Sequence, residues 1–254
     1  MKTGIKIVLS LALLSSLSFG SEQFAMSDSD RAMYAEMLEN NPADIMVANG
    51  EQLLSSIGGE EALAKYLGMS EDKLPQYIAG FPRYIEKFKM VVGIDQVLQA
   101  MMHDAGEKPY ALKSAEMFDM LAFVKSLAND VPINIDVNAN QHMKDAYALG
   151  QKTFDTKRGG RGLSCLSCHS AEVIGLILRT QPLPDLGVQN SGGTWPAYRM
   201  TKSSLRTLQR RFQGCMNNAL LKVIPIGSPE MVALEVYVTN KSKGQAITIP
   251  GLKR

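Results

Sequence analysis

Cys165-Leu166-Ser167-Cys168-His169 gathers two thiols and an imidazole into five consecutive residues. Thiols at this spacing can add to the two vinyl groups of one porphyrin, and the adjacent histidine can reach its iron. C-x-x-C-H therefore reads as a c-type haem attachment site, with His169 as proximal ligand. A structural zinc ion would call for four nitrogen or sulfur ligands, and the one further cysteine in the chain is Cys215. A thioredoxin-like dithiol would sit in a strand–helix–strand pattern, which the surrounding sequence lacks.

Cys215 is the odd thiol, and an odd cysteine in an exported protein is either intermolecular or reactive. Arg206, Arg210 and Arg211 precede it, and nearby cations favour thiolate over thiol. If the stretch is helical, Arg211 and Cys215 stand at i and i+4 on one face. A guanidinium there offers forked donors to an oxyanion such as the sulfonate end of thiosulfate, whereas Arg206 and Arg210 fit a solvated basic face equally well. Cys215 follows His169 by 46 residues, a gap after which small cytochrome c domains bring in a distal ligand. Thiolate is an axial haem ligand, but so is methionine, and Met200, Met216 and Met231 are alternatives on composition alone.

The segments that must position these groups are mainly helical by composition, with few aromatics and abundant Ala, Leu, Met, Lys and Glu. Lys2 and Lys6, the apolar run 7–17 and the small residues Ser18 and Gly20 read as a cleaved secretory signal peptide over 1–20. Export agrees with a haem attached outside the cytoplasmic membrane and puts the mature protein in the periplasm, with no membrane span. The chain holds 27 Lys+Arg and 25 Asp+Glu; losing Lys2 and Lys6 leaves it neutral, with no nucleic-acid footprint.

The remainder is written twice. Phe81-Pro82-Arg83-Tyr84 resembles Trp195-Pro196-Ala197-Tyr198 at an offset of 114. The same offset pairs Ser114, Glu116 and Met117 with Ser228, Glu230 and Met231, Val124 with Val238, and Ile133 with Ile247. Both copies carry an apolar-rich helical run, 117–124 and 231–238. The reading is two fused cytochrome c-like domains, 21–135 and 136–254, the N-terminal one without haem. Kept without gaps, the offset sets Cys165, Cys168 and His169 against Glu51, Leu54 and Ser55, and Cys215 against Met101. No cysteine precedes Cys165. The stretch 130–141 is expected to link the domains, followed by a helix over 142–156 in which Gly150 and Phe154 serve close packing. A flexible basic loop, 157–162, enters the haem motif, and 181–196 is irregular. His103 and His142 are given no role.

Thr194-Trp195-Pro196-Ala197-Tyr198-Arg199, Leu208-Gln209-Arg210-Arg211-Phe212-Gln213-Gly214-Cys215-Met216, Gly227-Ser228-Pro229-Glu230 and Leu234-Glu235-Val236-Tyr237-Val238 resemble the SoxA subunit of the SoxAX cytochromes. Leu67-Gly68-Met69-Ser70 and Phe81-Pro82-Arg83-Tyr84 are similar to its N-terminal domain. The resemblance implies one covalently bound haem c on Cys165 and Cys168, with His169 and Cys215 as axial ligands. It makes Cys215 the catalytic centre, often carrying a persulfide sulfur, and Arg211 the substrate-binding residue. The activity it implies is that of an L-cysteine S-thiosulfotransferase, which couples thiosulfate oxidatively to a cysteine of the carrier SoxYZ. Electrons then pass to the SoxX cytochrome subunit and a cytochrome c acceptor. Some members bind a second haem in the N-terminal domain; this chain departs from them, and Phe212, Gln213 and Gly214 also differ from the more polar residues usual there. The competing readings are a thiosulfate dehydrogenase forming tetrathionate, a simple periplasmic electron carrier with His/Met ligation, and an inactive structural subunit.

Overall fold

The computed structural model describes residues 28–178 and 181–253; the expected signal peptide lies outside them. The order is α1 (Asp28–Glu39), α2 (Asp44–Ser55), α3 (Gly59–Tyr66), α4 (Leu74–Ile78), β1 (Arg83–Ile85), β2 (Met90–Val92), α5 (Ile94–Asp104) and α6 (Ala115–Ser126). Then come α7 (Gln141–Asp155), α8 (Leu166–His169), β3 (Ile177–Leu178), β4 (Gln181–Pro182), β5 (Ala197–Arg199), β6 (Ser204–Arg206), α9 (Leu208–Asn218), α10 (Pro229–Lys241) and β7 (Gly251–Lys253). The helix expected over 142–156 is α7.

The repeat read from sequence is present in three dimensions. At the offset of 114, β1, β2 and α5 coincide in their bounds with β5, β6 and α9, and α6 starts in step with α10. Ser114 and Ser228 cap the paired helices alike, each hydroxyl accepting from the amide three residues on, Met117 and Met231. Lys89 and Ser203 turn the two hairpins at φ 53° and 45°. Met101 in α5 occupies the place of Cys215 in α9.

Upstream of residue 81 the gapless offset fails. Gly50 of α2 lies against the Asp119 carbonyl of α6, and Gly150 of α7 against the Ala233 carbonyl of α10. These are equivalent helix crossings, so α2 and α7 correspond at an offset of 100. Glu51, Leu54 and Ser55 therefore belong to the counterpart of α7, and are not counterparts of Cys165, Cys168 and His169. The second copy is longer between this crossing and β5, and the haem motif falls in that longer stretch. The expected mapping erred because the extra residues are invisible to a comparison anchored downstream of them.

Two apolar cores form. The first gathers α2 to α6; the second lies around Phe154, Trp195, Met216, Met231 and Leu234. Leu205, Val236, Ile247 and Ile249 of the second copy pack into the first core, so the halves share an apolar seam. The expected linker is strapped down rather than free: Ile133 N donates to Gln245 O, Ile247 N to Val131 O, and Asn129 exchanges two hydrogen bonds with Ile249. His142 stacks on Tyr84 of β1 at 4.2 Å, which gives it a packing role across the seam.

A buried polar cluster lies where the copies meet. Lys125 Nζ donates to Trp195 O at 2.7 Å, and Gln209 Nε2 donates to Glu235 Oε2 at 2.7 Å. Asp95 stands beside them, its carboxyl pushed up to about 7 by burial first and then by the Glu235 charge. Above its ordinary 3.8 the unfolded chain gives up this proton while the folded chain holds it, so the residue favours folding less as pH rises from about 4 to about 7. Asp95→Asn is expected to stabilise the protein by about 1–3 kcal/mol at pH 7.5 and to change it little at pH 4. Thermal denaturation at the two pH values measures this; an equal effect at both would remove burial of the carboxyl as the cause.

Candidate functional site

The haem motif is one turn of helix. His169 N and Cys168 N both donate to Cys165 O at 3.1 Å, and Ser164 N donates to Ser167 Oγ at 3.0 Å at the start of α8. Residues at i, i+3 and i+4 share a helix face, so Cys165, Cys168 and His169 present two sulfurs and a ring on one side. The chain then runs through the β3–β4 hairpin and returns to Pro184, whose carbonyl lies 3.0 Å from His169 Nδ1. A protonated Nδ1 donating there fixes the tautomer and leaves Nε2 free as a ligand. This carbonyl lies in the irregular stretch 181–196; sequence reading missed it because a backbone acceptor carries no residue signature.

Helix α7 supports the motif from behind. The absence of a side chain at Gly150 lets α7 and α10 touch, and Phe154, four residues on, packs beside His169 with ring centroids 6.3 Å apart. The loop between them is closed by its own backbone hydrogen bonds. Arg158 N donates to Leu163 O at 2.9 Å, and Arg158 Nη2 pairs with Glu230 Oε1 at 2.7 Å, with the Arg158 side chain only 17% exposed. Gly159, at φ +78°, sits under the Leu220 carbonyl, where a Cβ would come within 2.2 Å. Lys157 and Arg161 remain exposed.

Helix α9 brings in the third thiol. Thr207 caps it by accepting from Arg210 N. Gln209 and Gln213 anchor its inner face: Gln209 Oε1 accepts from Gly227 N, and Gln213 Nε2 donates to Ile224 O at 2.8 Å. Arg211 and Cys215, two residues further round, lie on the opposite face. Of the residues that differ from the family pattern, Gln213 is therefore structural, and Gly214 leaves open space beside Cys215.

Electrostatics separate the three cysteines. Burial pushes the Cys165 thiol up to about 12, and burial followed by Cys215 raises Cys168. Burial also works to raise Cys215, but Arg211, a hydrogen bond with His169 and the charge of Arg199 together bring it below its ordinary value. Cys215 is thus the thiol most readily ionised. Met216 and Met231 are fully buried members of the second core, and Met200 is half-buried in a short turn after β5. Arg210 Nη1 reaches Gln213 Oε1 at 3.4 Å, so it faces its own helix.

The donor set suits haem c. Two thiols flank a histidine whose Nδ1 is already committed, and Cys215 faces that histidine. Leu166, Leu176, Ile177 and Leu178 leave apolar side chains exposed on the motif and its hairpin, as a porphyrin edge would require. Among the described residues no cluster of three or more His, Cys, Asp or Glu forms a separate metal site, and no helix is long and apolar enough to cross a membrane.

Residues 149–247 match the sequence model of the SoxA/TsdA cytochrome c domain. The site lies within the stretch that matches this cytochrome c domain, a kind of domain that carries haem c. Over its whole length the chain is similar to proteins named L-cysteine S-thiosulfotransferase subunit SoxA. It is 27% identical to that of Hydrogenophilus thermoluteolus, over 98% of this chain and 99% of the relative. It is 29% identical to that of Chlorobaculum thiosulfatiphilum, over 93% and 80%. The crystal structure of SoxXA from P. pantotrophus has the same fold, with a TM-score of 0.71 and 22% identity over 84% of this chain and 79% of that one. Along most of its length the chain is thus similar to the SoxA-type cytochromes.

Proposed function

We propose that the protein is a periplasmic thiosulfotransferase subunit that joins thiosulfate to a cysteine of the SoxYZ carrier. The observation that carries this reading is Cys215: its thiol is lowered by Arg211 against the effect of burial, and it faces the histidine of C-x-x-C-H. Cys165 and Cys168 would hold one haem c covalently, and His169 and Cys215 would supply the ligands to its iron. The second copy, 136–254, is the haem domain. The first, 21–135, is a haem-less cytochrome c-like scaffold, since no cysteine precedes Cys165. The SoxXA fold match and the names of the relatives support a SoxX cytochrome partner.

Arg211 holds the sulfonate oxygens of thiosulfate, which directs the outer sulfur toward Cys215. The Cys215 thiolate and that outer sulfur form an S–S bond, releasing two electrons to the SoxX cytochrome and its cytochrome c acceptor. Bound haem c supplies one-electron acceptance. A carrier thiolate then attacks the thiosulfate sulfur bonded to Cys215, taking the S–SO₃ group and returning Cys215 as thiolate. A persulfide sulfur on Cys215 would serve the same exchange with the reacting atom one bond further out.

Mass spectrometry of the carrier after incubation with the complex, thiosulfate and oxidised cytochrome c tests this. A carrier adduct with the mass of one thiosulfate group is expected. Tetrathionate with no carrier adduct would favour the dehydrogenase reading instead. Intact mass of the exported protein is expected to show one haem and loss of residues 1–20.

A further inference from the structure

Arg199 and Lys253 stand within electrostatic reach of Arg211, and the one opposite charge that acts on Arg199 there is the Cys215 sulfur. They are register partners on the parallel strands β5 and β7, and paired residues on neighbouring strands project to the same face of a sheet. Lys253 is only 9% exposed. Arg199 and Arg211 both act on it, and burial, followed by those two charges, lowers its ammonium to about 8. Arg199 is likewise lowered, to about 10, by burial and then Arg211, while the Cys215 sulfur opposes the shift. Among the described residues none of the three forms an ion pair.

Three cations gathered at a half-buried thiol repel one another and lose hydration, an arrangement that an anion of matching charge relieves. Two guanidinium forks and one ammonium offer donors in several directions, which suits a tetrahedral group with several equivalent oxygens better than a planar carboxylate. We propose that Arg199 and Lys253 complete, with Arg211, a site selective for doubly charged tetrahedral sulfur oxyanions, and so determine the specificity of the thiosulfate step. This deepens the function proposed above and rests on it. Lys253 reaches the cluster from a strand 38 residues beyond Cys215 in sequence, so no local motif announces it.

The test uses the haem-loaded complex with its cytochrome partner, comparing wild type, K253Q, K253R and R199Q. Sodium sulfate serves as a non-reacting dianion in calorimetric titration and as a competitive inhibitor. The Michaelis constant for thiosulfate and the sulfate affinity are both expected to weaken in K253Q and R199Q by roughly ten- to a hundredfold, the worth of one hydrogen bond to a charged group. The turnover number should stay within about threefold of wild type, and K253R should recover most of the binding. Unchanged sulfate and thiosulfate binding in both glutamine variants would overturn the proposal. So would a shifted haem reduction potential with unchanged anion binding, which would assign the cations to the haem carboxylates. Wild-type complex that binds sulfate with these sensitivities but forms no carrier adduct would sink the transferase reading and leave the anion site standing.

Discussion

Cys215→Ala is expected to lower carrier-dependent thiosulfate oxidation by at least about 10³-fold, the scale on which removal of a reacting nucleophile acts, while the haem stays covalently bound. In the proposed function attachment rests on Cys165 and Cys168, and the α8 turn that presents them is closed by its own backbone and by the Pro184 carbonyl. Cys215 stands on a different element, α9, whose place is set by its opposite face through Gln209 and Gln213. Removing one half-buried sulfur therefore takes away the reacting atom without releasing the helix that held it. The visible and electron paramagnetic resonance spectra of the ferric protein should change together with activity, because one atom is assigned both tasks. Unchanged spectra with full turnover would return the distal position to Met200, since Met216 and Met231 belong to the second core.

The placement of the candidate site residues was legible because their signals are local. C-x-x-C-H occupies one helical turn, and Arg211 and Cys215 lie one turn apart on α9, so spacing alone sets each group on a shared face. The repeat was legible downstream of residue 81 because β1, β2, α5 and α6 recur without insertion. The parts that were misread depend on contacts between distant segments. The α2–α7 equivalence shows only as two glycines under two carbonyls, and helix composition does not distinguish an offset of 100 from one of 114. Arg158 read as part of a mobile basic loop because its partner, Glu230, lies 72 residues away. The stretch 130–141 read as a linker because its polar, proline-containing sequence satisfies a loop; the segment that pairs with its start, 245–247, comes from the end of the second copy. Lys253 was invisible for the same reason.

The helix crossings make the largest prediction for stability. A Cβ at Gly150 would lie 2.0 Å from Ala233 O, 2.7 Å from Ala233 C and 2.8 Å from Tyr237 Cβ. Two of those atoms are backbone in the middle of α10, so no rotamer change relieves the overlap; α7 and α10 must move apart. Gly150→Ala is expected to cost about 3 kcal/mol or more, at or beyond the upper end of overpacking effects. It should also reduce haem incorporation, because α7 carries Phe154 against His169. Gly50→Ala places its methyl 2.0 Å from Asp119 O and should cost a comparable amount, but through the first core, leaving the surroundings of His169 intact. Gly214→Ala supplies the opposite sign: its added methyl meets nothing within 4 Å, and replacing a helical glycine by alanine stabilises by roughly 0.5–1 kcal/mol. Thermal melts of the three holo-variants, followed at the haem absorbance and by far-ultraviolet circular dichroism, separate the cases. A Gly150→Ala protein that melts with wild type would mean that α7 and α10 do not cross at this residue, and the correspondence between α2 and α7 would fall with it.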